Sequence, residues 1–138
     1  MFRWLRLRRE PATAVPPGSR RETGARIEAA VADWLNGQGC KELARNFQVR
    51  GGELDLVIDD GGVVAFVEVR YRLHGGIEAA LESVGRLKQR RLIHAAQRYL
   101  QQQPKLRTRP CRFDVVAVEG SDGDFRFRWI KDGFRIDD

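Results

Sequence analysis

Cysteine is scarce in this 138-residue sequence, with only Cys40 and Cys111 present. They lie far apart, and neither has a second Cys or a His at metal-ligand spacing, which argues against a zinc module or a disulfide framework. Two reduced, partly buried thiols are expected. Long hydrophobic runs are missing as well. No apolar segment approaches the roughly 20 residues that span a bilayer. The charged N-terminus is not followed by an apolar stretch of signal-peptide length. A soluble, cytoplasmic protein is therefore expected. The two histidines, His74 and His94, are isolated, so surface or packing roles are expected for them. Neither Gly51-Gly52 nor Gly75-Gly76 opens a Walker-type loop; both read as turns.

What is present suits one compact domain. Hydrophobic residues make up 42% of the chain and aromatics 9%, enough for a real core and against global disorder. The net charge is +6, and it is unevenly spread. Residues 1–21 hold six arginines against the single acid Glu10, so they carry +5 of it and the remaining residues are nearly neutral. Pro11, Pro16, Pro17 and Gly18 discourage a helix there. Residues 1–19 are read as a flexible basic arm and 20–138 as a single domain. Such an arm suits phosphate binding without sequence readout, or weak contact with a membrane surface; a solvated tail is the plain alternative.

Within the domain, Ile27, Val31, Trp34 and Leu35 recur at helical spacing, and Gly37 and Gly39 end the helix begun near Arg20. Strands are expected over Leu43–Val49, Glu53–Ile58 and Val63–Arg72, the last two joined by a hairpin at Asp59-Asp60-Gly61-Gly62. One long helix is expected from Ile77 to Gln103. Leu81, Val84, Leu87, Leu92, Ala95, Ala96, Tyr99 and Leu100 mark its buried side, Arg86, Lys88, Arg90, Arg91 and Arg98 make it basic elsewhere, and Pro104 stops it. A strand over Arg112–Val118 follows. Phe125–Ile130 alternates apolar and basic residues and reads as an exposed edge strand, with Phe127 and Trp129 offered either to packing or to nucleobases. The order is α-β-β-β-α-β-β: an α/β fold with a mixed sheet of about four to five strands flanked by helices.

Acids in the strands carry the chemistry. Asp55 interrupts Leu54-Asp55-Leu56-Val57-Ile58, and Glu68 interrupts Val63-Val64-Ala65-Phe66-Val67-Glu68-Val69. A carboxylate in an apolar strand costs several kcal/mol unless a cation, an arginine or solvent compensates. Centring the hairpin between residues 60 and 61 sets Asp55 against Phe66, with Glu68 one same-face step along. Arg70 shares the face of Glu68 because side chains repeat every two residues. Two carboxylates on adjacent strands suit Mg2+ or Mn2+, which polarises a phosphodiester and acidifies a bound water. Structural ion pairs with arginine are the competing reading. Asp114 is a further strand acid, read as structural, with Arg112 a carboxylate partner.

Gly51-Gly52-Glu53-Leu54-Asp55-Leu56-Val57 followed by Phe66-Val67-Glu68-Val69-Arg70 resembles the paired signature of the YraN family of small bacterial proteins. Gly24, Glu28 and Ala32, then Arg45-Asn46, resemble its opening helix and first strand. Val84, Lys88, Ala95-Ala96, Tyr99-Leu100 and Arg112-Phe113-Asp114-Val115-Val116 resemble its second half, so the likeness spans about residues 22–135. That family is placed in the restriction-endonuclease-like PD-(D/E)xK superfamily, and the resemblance implies its α-β-β-β-α-β core. It further implies that Asp55 and Glu68 bind metal, that Glu28 supplements them, and that Arg70 stands where the motif has lysine. Arginine, with a pKa above ~12, cannot act as a general base but can steady phosphate charge. Lys88 is a candidate to take over the lysine's role, against the plainer reading of a solvent-facing helix residue. The implied activity is that of a metal-dependent nuclease, an endonuclease-like hydrolase of DNA or RNA. Arg70, Arg72, Lys88 and Arg91 are the expected nucleic-acid contacts. The alternatives are a catalytically inactive nucleic-acid-binding module and a scaffold or interaction protein.

Overall fold

The computed structural model describes residues 4–8, 20–71, 76–120 and 123–135. Its elements are β1 (Trp4–Arg8), α1 (Arg20–Gly37), β2 (Lys41–Val49), β3 (Gly52–Asp60), β4 (Val63–Tyr71), α2 (Gly76–Glu82), α3 (Arg86–Gln102), β5 (Cys111–Glu119) and β6 (Asp124–Phe134). A short 3-10 turn, Pro104–Leu106, follows α3. The strands form one mixed sheet in the order β1-β6-β5-β4-β3-β2. Only β4 and β5 pair in parallel, because α2 and α3 carry the chain back across the sheet between them. The sheet has one strand more than the sequence suggests, since Trp4–Arg8 pairs antiparallel with β6. The rest of the stretch read as an arm lies outside the described residues.

Helices cover both faces. α1 packs Ile27, Val31, Trp34 and Leu35 onto Leu56, Ile58, Ala65, Val67, Val116, Val118 and the β6 aromatics. α2 and α3 cover the other face, where Leu92, Ala96 and Tyr99 meet Leu54, Val57, Val64, Phe66 and Phe113. Residues Val64–Val67 and Val115–Val118 are buried on both sides, which accounts for their unbroken apolar runs. Local chemistry sets the ends. α1 closes on a Schellman motif: Gly39 adopts φ 94°, the Cys40 amide donates to the Leu35 carbonyl at 3.1 Å, and the Gly39 amide donates to Asn36 at 3.0 Å. β3 and β4 are joined by Gly61-Gly62, whose φ values of 61° and 99° match the two-residue hairpin that needs both positive.

Four expectations are corrected. The long helix is two: Ser83 and Gly85 interrupt it. The Ser83 hydroxyl donates to the Ala80 carbonyl at 2.6 Å, and Gly85 is extended as the α3 N-cap. The restart rotates the helical phase, so Leu87, expected in the core, is 59% exposed. The segment read as an edge strand is internal, because β1 and β5 flank it, and Phe127 and Trp129 are buried against Trp34. They are core residues and offer no face to a base. Finally, Cys111 is exposed while Cys40 is buried; both are free.

Candidate functional site

β3 and β4 pair from the turn as far as Leu56 opposite Val67, a register two residues offset from the expected one. Continued one step, it sets Asp55 opposite Glu68. The ladder stops there. Leu54 packs on the α3 side and Leu56 on the α1 side, so the alternation of faces breaks at Asp55. Across on β2, between the pairs Arg45–Leu56 and Phe47–Leu54, Asn46 is left-handed with φ 52°. This irregularity turns the Asp55 side chain along the sheet. Its Oδ2 accepts a hydrogen bond from the Val69 amide at 2.9 Å, replacing a lost ladder bond.

Glu68 follows the regular alternation of β4 and faces α3. It is 3% exposed. Two cations converge on one of its oxygens: Arg70 Nη2 lies 2.8 Å from Oε2, and Lys88 Nζ of α3 lies 3.5 Å from the same atom. Oε1 is buried with no hydrogen-bond partner, as is Arg70 Nε. Burial first, and then the charge and contact of Asp55, push the Glu68 carboxyl up to about 8, while Lys88 and Arg70 pull against them. On the α1 side, burial and then the charges of Asp55 and Glu53 raise Glu28 to about 7, against a hydrogen bond with Asn46. Both carboxyls beside Asp55 thus favour their protonated forms, chiefly because burial penalises the charged ones.

A hard divalent cation would favour the charged forms instead, and the oxygen-only donors would suit Mg2+ or Mn2+. Asp55 and Glu68 are brought together; Glu28 is close enough to feel Asp55. Among the described residues, however, no three His, Cys, Asp or Glu side chains gather into a ready metal cage. Arg70 sits at the pair, as its parity requires. Lys88 reaches it too, contrary to the plainer reading of a solvent-facing residue. Arg91 lines an open groove of about 410 Å3 with Lys88 and the Gln48–Glu53 turn. Arg72 and His74 lie outside the described residues. Sequence reasoning missed Asn46 and Glu53 as neighbours of Glu28; the one available signal was an Asn in the strand opposite Asp55.

The other acids behave differently. Asp114 is fully buried and saturated: Arg112 Nε, the Trp129 indole and the Asp132 amide all donate to it at 2.9 Å. Arg112 also binds Asp60 at 2.6 Å. This is the structural ion pair that the sequence suggested. His94 meets the Arg50 carbonyl at 3.1 Å, a packing role.

Known sequences resemble this chain over most of its length. A family model described as "Uncharacterised protein family UPF0102" matches residues 27–118. The chain belongs to this family. That membership agrees with the YraN resemblance, since the two names denote the same family. A UPF0102 protein of Pseudomonas putida (strain GB-1) is 47% identical over 121 residues, which is 87% of this chain and 98% of the relative. One from Xylella fastidiosa (strain 9a5c) is 49% identical over 120 residues, covering 87% and 98%. The match to the UPF0102 model spans α1 through β5, so it includes every candidate carboxylate, Arg70, Lys88 and Arg91. Among the described residues no helix is long and apolar enough to cross a membrane.

Proposed function

We propose that this UPF0102 protein is a metal-dependent nuclease that hydrolyses phosphodiester bonds in DNA or RNA, on a restriction-endonuclease-like version of the α/β fold. One observation carries the reading: a buried glutamate, Glu68, keeps an unpartnered oxygen beside a second carboxylate at the point where two strands part. A buried carboxylate left in that state is costly, and such groups cluster at functional sites. Asp55 and Glu68 would hold the Mg2+ or Mn2+, with Glu28 reinforcing the negative field from α1. The metal supplies Lewis-acid polarisation of the phosphodiester and a water of lowered pKa.

This chain's own residues do the rest. Arg70 stays cationic throughout and stabilises charge developing on the phosphate. Lys88, which pairs with Glu68, also lines the groove with Arg91, and the two bind flanking phosphates, with Arg72 assigned the same task from its sequence position. Binding without cleavage is the second reading, favoured by arginine in the place of the motif lysine. The deciding experiment is calorimetric titration of Mn2+ and Mg2+ into the wild type and the Asp55→Ala, Glu68→Ala double variant. Binding by the wild type alone supports the metal site, and metal-dependent cleavage of labelled DNA or RNA that vanishes in Asp55→Ala completes the case. If neither protein binds metal, even with an oligonucleotide present, the enzyme reading fails. Salt-sensitive nucleic-acid binding that survives Asp55→Ala then supports the second reading.

A further inference from the structure

Glu68 is held asymmetrically. Arg70 comes from its own strand, two residues on, at 2.8 Å; Lys88 comes from a different element, α3, at 3.5 Å. Both are ion-paired to Oε2, and Oε1 has no hydrogen-bond partner. A carboxylate gripped by one cation can still swing about its last torsion, which is broad and nearly two-fold. One gripped from two directions through the same oxygen cannot swing without breaking a pair, and burial makes that loss expensive.

We infer that Lys88 is a positioning residue: with Arg70 it clamps Oε2 of Glu68 and so keeps Oε1 free for a cation shared with Asp55. This inference builds on the metal reading above, and it gives α3 a task there besides phosphate binding. The break at Ser83–Gly85 is what supplies the reach. By restarting the helix at Arg86 it sets the phase that turns Leu87 to solvent and Lys88 toward β4.

The inference has an unusual sign. Judged by charge alone, removing a lysine beside a dication site should tighten metal binding, because like charges repel. Judged by positioning, it should weaken binding, as loss of a residue that orients a ligand does. The test is calorimetric Mn2+ binding to the full chain carrying Lys88→Met, which keeps the unbranched stem, beside Lys88→Arg, which keeps the charge. Mn2+ affinity falling about 10- to 100-fold in Lys88→Met, and largely restored in Lys88→Arg, is the expected result. Unchanged or tighter binding in Lys88→Met overturns the inference.

A second arm needs no metal. In a metal-free crystal structure of Lys88→Met the Glu68 carboxylate should rotate, with Oε1 no longer left free beside Asp55. If the carboxylate keeps its orientation, the clamp is refuted whatever the metal affinity. A wild type that takes up no Mn2+ sinks the metal reading instead, and the crystal structure then decides the clamp by itself.

Discussion

At the scale of single residues, two kinds of buried acid share one sheet and differ in what satisfies them. Asp114 receives donors from Arg112, Trp129 and the Asp132 backbone, and Arg112 ties it further to Asp60. Glu68 has two cations on one oxygen and no hydrogen-bond donor on the other. The first acid holds the fold together; the second is held by it. Asp114→Ala should therefore cost about 3–5 kcal/mol in urea unfolding, because it leaves the Arg112 Nε, the Trp129 indole N–H and the Asp132 amide without their acceptor. Glu68→Gln at neutral pH should cost far less, since burial already favours the neutral form of this carboxyl there. Equal losses in the two variants would mean that Glu68 too is a structural ion pair. Both acids were visible in the sequence for the same reason, polarity inside an apolar run. Which was which was not, because that depends on donors contributed by distant strands and by α3.

At the scale of elements, the approach of the β2–β3 turn to α3 shapes the groove. A side chain at Gly52 would fall on the Arg91 carbonyl oxygen and press the Ala95 methyl. Gly52→Ala should therefore push the turn off the helix, lowering stability by about 1–3 kcal/mol. Gly62→Ala, with open space around it but φ 99°, should cost only its backbone strain, about 1–2 kcal/mol. Thermal unfolding of the two variants compares close contact with conformation. Elements were legible wherever a local signal sufficed: Gly37 and Gly39 after α1, Gly61-Gly62 between β3 and β4, Pro104 after α3. The failures have a common cause. Whether Phe125–Ile130 is an edge depends on a strand far away in sequence, and the break at Ser83–Gly85 competes with a helical pattern that continues on both sides. The hairpin register slipped by two because Asp59 caps the turn from outside it, with its Oδ1 accepting the Gly62 amide at 2.8 Å.

For the molecule as a whole, the raised carboxyls make stability depend on pH in a definite direction. Glu28 rises to about 7 and Glu68 to about 8 from an ordinary 4.5. The fold favours their protonated forms, so this contribution is complete below about pH 4.5 and is lost as pH climbs through 7 and 8. The melting temperature of the metal-free protein should fall between pH 6 and 9, with a shift on the order of 5 °C attributable to these groups. The Glu28→Gln, Glu68→Gln double variant should show a flatter profile over that range. Saturating Mn2+ at pH 8 should restore the loss in the wild type and leave the double variant unmoved. Parallel profiles for the two proteins would place the pH dependence elsewhere.

One bond joins these scales. The Val69 amide donates to Asp55 Oδ2, in the position where an ordinary strand would offer a backbone carbonyl. A single amide proton is thereby wired to the candidate site without belonging to it. Its NMR frequency and exchange rate should register each event at Asp55, whether protonation, cation entry or displacement by substrate. The protein carries, in effect, an internal gauge of the surroundings of Asp55.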